Sequence, residues 1–156
     1  MEKNRFTFSK EERLCSKILI DQLFSGGGRS VYFPPFRFLF MPVEPSGEPY
    51  PAKVVFSVPK RCFKKAVDRN LLRRRMRESY RLNKLSFYEL LNDNHQSLAI
   101  MVIYLDKEIL DYSTIEAGMK KGLKKITAKL IGESPKNKWH LPGWFVIKRS
   151  AETRSA

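Results

Sequence analysis

KRCFKKAVDRNLLRRRMRESYR, residues 60–81, holds ten Lys or Arg residues against two acids, a surplus of +8 in a chain of formal net charge +14. Asp68 is a residue type that caps helices, and from there apolar residues recur at helical intervals. The spacing predicts a helix to about Leu82, with a second piece reaching Leu91 before Asn92-Asp93-Asn94 breaks it. With Arg69 at zero on a helical wheel, Leu72, Met76, Ser79, Tyr80 and Asn83 fall in one arc of roughly 100°. Arg69, Asn70, Arg73, Arg74, Arg77 and Arg81 fill the next arc of roughly 140°, and Arg75 stands clear of it. The arginines therefore form a face beside a buried stripe. Like charges one turn apart, as in Arg69/Arg73, Arg73/Arg77 and Arg77/Arg81, repel by about a few tenths of a kcal/mol per pair. A face built only for solubility interleaves acids, and Glu78 relieves little here. Guanidinium forks fit phosphate oxygens in pairs and stack on bases. The expected partner is nucleic acid.

The bulk composition narrows the alternatives. A chain of 156 residues, 42% of them hydrophobic, is expected to fold as one domain with a single core. A sequence pI near 10.0 calls for a polyanionic partner and says nothing of fold. No long basic amphipathic helix suggests a membrane surface, and the longest apolar run, Leu98 to Leu105, is too short to span a bilayer. The first residues, MEKNRFTFSKEER, lack the apolar core of a signal peptide. A cytoplasmic protein is expected, with Cys15 and Cys62 as reduced thiols. No His, Cys, Asp or Glu pair has metal-ligand spacing, and no acid–base pair or nucleophile triad is visible. His95 and His140 sit beside turn-forming residues, outside the basic segment. No catalytic residue, metal or other cofactor is therefore expected of the protein alone.

Outward from the basic segment, the other elements are read from periodicity. Ser9 and Glu12 have capping-box spacing, and Leu14, Ile18, Ile20, Leu23 and Phe24 suit one broad apolar side, so a helix is expected over 9–25, closed by Gly26-Gly27-Gly28. Residues 31–42 are aromatic and β-prone, and Pro34-Pro35 marks a strand start or an edge. Residues 43–52 form a Pro- and Gly-rich loop, and Lys53 to Val58 is the next strand. Leu98 to Leu105 reads as a central, fully apolar strand. Ser113 and Glu116 form another capping box, before Ile115, Met119, Leu123, Ile126 and Leu130 line one helical face up to Gly132. Beyond it the period dissolves. A single nucleic-acid-binding domain over 1–132 and a basic, flexible tail over 133–156 are expected, with Trp139, Trp144 and Phe145 able to pack back on the domain. The order α, β, β, α, β, α gives an α+β or α/β sandwich, helices packed on a small sheet.

VPKRCFKKAVDRNLLRRRMRESYR resembles the signature of the protein component of bacterial ribonuclease P: a basic turn after a strand, then a helix reading R-N-x-x-K-R-x-x-R-E. Arg69, Asn70, Arg73, Arg74, Arg77 and Glu78 match, with Arg for Lys at position 73. The resemblance covers roughly residues 5–131. It implies a ribonuclease P protein-like (ribosomal S5 domain 2-like) fold, a small mixed sheet in the order α-β-β-β-α-β-α. Two departures stand out. Leu71 occupies a position that is usually basic, and Phe63 lies where a glycine is common, in a turn one residue longer than usual.

The resemblance also implies a division of labour. In that family an RNA is the catalyst: it hydrolyses the phosphodiester at the 5′ end of mature tRNA with divalent metal ions. The ribonucleoprotein requires Mg2+. The partners implied are the catalytic RNA and precursor tRNA, with neither DNA nor membrane. RNA contacts are expected from Lys60, Arg61, Lys64, Lys65, Arg69, Asn70, Arg73, Arg74, Arg77 and Arg81. The single-stranded 5′ leader is expected in a cleft between the first helix and the sheet, lined by Ile20, Phe24, Phe36, Phe38, Phe40, Lys53, Val55 and Ser57. Basic grooves with aromatic platforms grip single strands. The competing reading of the Phe36, Phe38, Phe40 stripe is plain core packing. The alternative function is a general RNA-binding or ribosome-associated module. DNA binding lacks a helix-turn-helix or zipper context.

Overall fold

The strand Ser97–Tyr104 is buried along nearly its whole length, so the sheet around it is covered on both faces. The computed structural model describes residues 7–45, 47 and 49–132. The tail expected over 133–156, with Trp139, His140, Trp144 and Phe145, lies outside the described residues. The order is a 3-10 turn (Lys10–Glu12), α1 (Lys17–Phe24), β1 (Arg29–Phe33), β2 (Phe36–Val43), β3 (Ala52–Ser57), α2 (Ala66–Asp93), β4 (Ser97–Tyr104) and α3 (Tyr112–Gly132). The four strands form one sheet in the order β1-β2-β4-β3. β1–β2 and β2–β4 are antiparallel; β3–β4 is parallel, with α2 as the crossover that a parallel pair requires.

One sheet face is covered by α2 and α3. Phe36, Phe38 and Phe40 from β2, Leu98, Ile100, Val102 and Tyr104 from β4, and Val54 and Phe56 from β3 meet Leu72, Met76 and Tyr80 of α2 and Ile115, Met119 and Ile126 of α3. The opposite face carries the smaller α1. There Leu14 and Leu23 pack on Leu39, Met41, Ala99 and Met101. A Cβ on Gly122 would stand 2.1 Å from the Phe38 ring, so the absence of a side chain lets α3 lie directly on β2.

Four local expectations change. The helix expected over 9–25 is interrupted: after the 3-10 turn, Arg13 pairs with Val54 and Leu14 N–H donates to Val54 C=O (3.0 Å), extending the chain beside β3. α1 then begins afresh, with Ser16 Oγ accepting from Leu19 N–H (3.4 Å). The strand region 31–42 is a hairpin of β1 and β2, with Pro34-Pro35, joined by a cis peptide bond, at the turn. Proline cannot donate to a ladder, so the pair falls between strands. α2 runs unbroken through Leu82 to Asp93, because Lys84, Phe87, Tyr88 and Leu91 continue its buried side. α3 begins ahead of the expected cap at Ser113: Ile115 N–H donates to Asp111 C=O (3.2 Å), and the Asp111 carboxylate accepts from the hydroxyls of Ser113 (2.8 Å) and Thr114.

Candidate nucleic-acid interface

The turn between β3 and α2 is held by its own backbone and by one buried ring. Pro59 C=O accepts from the N–H groups of Cys62 (3.2 Å) and Phe63 (3.3 Å). Phe63 is buried, its ring centroid 5.8 Å from that of Tyr104. A glycine at this position would lack that anchor. Lys60, Arg61, Lys64 and Lys65 are exposed around it. Arg69 reaches back from the first turn of α2, and its Nη1 donates to Phe63 C=O (2.7 Å) and Lys64 C=O (2.9 Å). It therefore fixes the loop that displays the lysines.

Along α2 the predicted face holds. Leu72, Met76, Ser79 and Tyr80 are buried, while Asn70, Arg74 and Arg77 are exposed and Arg73 half-buried. Arg73 Nη1 donates to Asn70 Oδ1 (3.3 Å), which orients it. Arg81 pairs with Glu78 (Nε to Oε2, 3.0 Å), so its charge is partly answered. Arg75 points away and donates to Leu110 C=O (2.5 Å), pinning the loop before α3. Partial burial, then the charges of Arg13, Arg73 and Arg74, pull the Arg77 guanidinium below its ordinary value. Crowded cations of this kind make a surface that favours an anion. Among the described residues, no carboxylate is seen paired with Lys60, Arg61, Lys64, Lys65, Arg74 or Arg77.

Arg13 was not visible from the sequence as part of this face. A helix read straight through it hides the extended segment that lays it along β3. Leu71, the apolar departure, is half-buried and sits off the basic arc.

The second sheet face sorts the other predicted residues. Lys53, Val55 and Ser57 alternate with buried Ala52, Val54 and Phe56, so they occupy the α1 side, each half-buried. Ile20 is half-buried on α1, and Phe24 is 61% exposed. Phe36, Phe38 and Phe40 do not belong here. Each is 0% exposed and faces α2 and α3, so none can touch a strand lying on the open face. The register puts other residues there: Ser57 lies beside Ile103, Ile103 beside Arg37, and Arg37 beside Tyr32. Arg37 and Tyr32 are exposed. The signal for them was present, since Arg37 alternates with the phenylalanines and must point the other way.

Among the described residues no group of three or more His, Cys, Asp or Glu is placed to hold a metal ion. His95 is exposed and has φ 52°, closing α2: its N–H donates to Asn92 C=O (3.1 Å) and Gln96 N–H to Leu91 C=O (2.9 Å). That pattern is a Schellman cap, a structural role. Cys15 and Cys62 are free thiols, exposed and half-buried respectively. No helix among the described residues is long and apolar enough to cross a membrane.

Comparison with known proteins agrees with this fold. The solved Staphylococcus aureus RNase P protein superposes with a TM-score of 0.57 at 20% identity, covering 74% of this chain and 94% of that one. The RNase P protein from Thermotoga maritima does so with a TM-score of 0.54 at 27% identity, over 73% and 96%. The ribonuclease P protein component of Porphyromonas gingivalis is 32% identical over 132 residues, 85% of this chain and 95% of its own length. The family pattern described as Ribonuclease P spans residues 8–127, taking in the basic turn, the arginine face and both sides of the sheet, and the chain belongs to the ribonuclease P protein family.

Proposed function

We propose that this chain is the protein subunit of a ribonuclease P ribonucleoprotein, in which an RNA partner performs the chemistry and the protein positions it and its substrate. The observation that carries this reading is the arginine face. Arg73, Arg74 and Arg77, joined by Arg13, crowd together at the edge of β3 in a chain of this family. Such a cluster is stabilised by phosphates, and phosphate contacts set register without reading sequence. Lys60, Arg61, Lys64 and Lys65, on the braced turn, extend the same contact.

The 5′ leader of precursor tRNA would lie across the α1 side of the sheet. Phe24 and Tyr32 offer stacking faces, Arg37 and Lys53 offer charge, and Ile20 and Val55 offer apolar walls. Base–aromatic stacking contributes about 1–3 kcal/mol per base regardless of sequence, which suits a leader of variable sequence. In this reading Mg2+ ions would be held by RNA oxygens and water rather than by side chains of this chain. Their chemistry would activate water and stabilise the leaving oxygen. The protein's share is to hold the substrate where that chemistry occurs, in the cytoplasm.

The test combines purified protein, its cognate folded catalytic RNA, Mg2+ and precursor tRNA. A single cut at the mature 5′ end is expected, with none from protein alone. Binding should also favour precursor over mature tRNA at matched salt. Equal affinity for the two would point to a general RNA-binding module.

A further inference from the structure

Away from the basic face, α2 and α3 leave between them an apolar groove of about 470 Å³. Phe87 and Leu123 are its buried floor, and Leu82 and Leu90, 40% and 37% exposed, are on its walls. Lys120 and Lys124 of α3 stand at its rim, both exposed. A smaller hollow lined by Leu90, Leu91, Gln96 and Leu130 continues it towards the end of α3. In that hollow Gln96 Oε1 is buried, with no hydrogen-bond donor among the described residues. The two helices run in the same direction, since Asn83 meets Glu116 near one end and Leu90 shares the groove with Thr127 near the other. The chain therefore leaves α3 at Gly132 beside one mouth of the groove.

The sequence beyond Gly132 is suited to fill that groove. After residues 133–138 comes WHLPGWFVI, residues 139–147, nine residues with no Asp, Glu, Lys or Arg in a chain that is 29% charged. The groove wall from Leu90 back to Leu82 is about 12 Å long at helical rise. Six linking residues reach about 20 Å, enough to turn back into it. Tethering makes the contact intramolecular, with an effective concentration on the order of millimolar. An indole presents an apolar body to the floor, a π-face to a lysine and an N–H donor to an unpartnered oxygen. RNA suits the groove poorly, because its floor offers hydrocarbon where phosphate needs donors. The family match ends at residue 127, so this segment lies outside what the family pattern describes.

We propose that residues 139–147 fold back and seat in the α2–α3 groove of the same molecule, with Lys120 and Lys124 over the indoles and Gln96 Oε1 available to an indole N–H. This goes beyond the RNA-binding reading and does not depend on it. The chain supplies its own probe: Trp139 and Trp144 are its only tryptophans. In the full-length protein, tryptophan emission should be blue-shifted from that of the urea-unfolded chain and protected from acrylamide, unchanged on dilution and without RNA. Leu90→Lys, and separately Ala128→Lys at an exposed position in the groove lining, should return emission and quenching to the unfolded-chain values while far-UV circular dichroism stays native. If Leu90→Lys fails to fold, Ala128→Lys decides. The proposal is overturned if the wild-type tryptophans quench as in urea, or if dilution exposes them, which would mean a second copy is the occupant. It is equally overturned if protection needs added RNA, or if folded groove variants keep the wild-type emission.

Discussion

Glu12 and Lys84, 72 residues apart in the chain, meet in an ion pair with side-chain exposures of 0% and 1%. The same carboxylate accepts from Ser9 N–H (3.0 Å) and Tyr88 OH (3.3 Å), and the ammonium also donates to Thr7 C=O. Lys84 Nζ stands 5.4 Å from the Tyr88 ring centroid and 5.7 Å from that of Tyr50. This contact binds the segment before α1 to the middle of α2, and so holds Arg13 beside the arginine face. Removing one partner of a buried pair strands the other charge, at about 3–5 kcal/mol, whereas replacing both by apolar groups is often nearly neutral. Glu12→Ala should therefore lose about 3–5 kcal/mol in urea unfolding. Glu12→Leu combined with Lys84→Met should lose less than either single change. A Glu12→Ala loss below about 1 kcal/mol would show a solvated pair.

The hydroxyls of Tyr80 and Tyr88 extend this network: Tyr80 donates to Tyr88 (3.1 Å), which donates to Glu12. Burial, above all, raises both phenols far above their ordinary value of 10.0, and the neighbouring carboxylate adds to it. A raised folded-state value means stability that is complete below pH 10 and lost as pH climbs beyond it, because only the unfolded chain can ionise. Each buried tyrosine should withdraw about 1.4 kcal/mol per pH unit above 10. Tyrosinate absorbance from these two should appear only with the loss of circular dichroism. Tyr80→Phe should move alkaline unfolding to higher pH. Ionisation of all six tyrosines in a still-native protein would contradict the assignment.

Legibility from sequence tracked how local each determinant was. The arginine face was readable because helical periodicity alone separates Leu72 and Met76 from Arg73 and Arg77. The α3 face was readable for the same reason. Alternation puts Phe36, Phe38 and Phe40 on one side of β2, yet it does not say which side is inside. That depends on the cover: two long helices bury the phenylalanines, while the eight-residue α1 leaves Tyr32 and Arg37 exposed. Gly118 and Gly122, one turn apart, were the signal that α3 approaches a strand closely; a Cβ at Gly118 would meet Pro35 at 2.8 Å. The break before α1 was not readable. It comes from a pairing with Val54 and from Lys84, both distant in sequence, which stop the helix after the 3-10 turn that Ser9 and Glu12 cap.

Arg69 and Arg77 share one arc of α2 but do different work, and substitution should separate them. Arg77 is exposed and crowded by Arg13, Arg73 and Arg74, so Arg77→Ala removes like-charge repulsion and should leave stability within about 0.5 kcal/mol of wild type. It should also lower the slope of log affinity against log salt by about 0.7–0.9, the effect of one lost phosphate contact. Arg73→Ala should do the same. Arg69 is committed to two carbonyls of the turn. Arg69→Ala should destabilise by about 1–3 kcal/mol, since its charged hydrogen bonds to the part-buried Phe63 C=O and the exposed Lys64 C=O are lost. Its effect on RNA affinity should exceed one phosphate contact, because the turn that carries Lys60, Arg61, Lys64 and Lys65 loses its brace. In a background where Lys64→Ala and Lys65→Ala already silence much of the turn, Arg69→Ala should add little further loss of affinity. Salt titrations of RNA binding, read alongside urea unfolding of each variant, check all of these. Equal slopes and equal stabilities for Arg69→Ala and Arg77→Ala would show that both simply face the RNA.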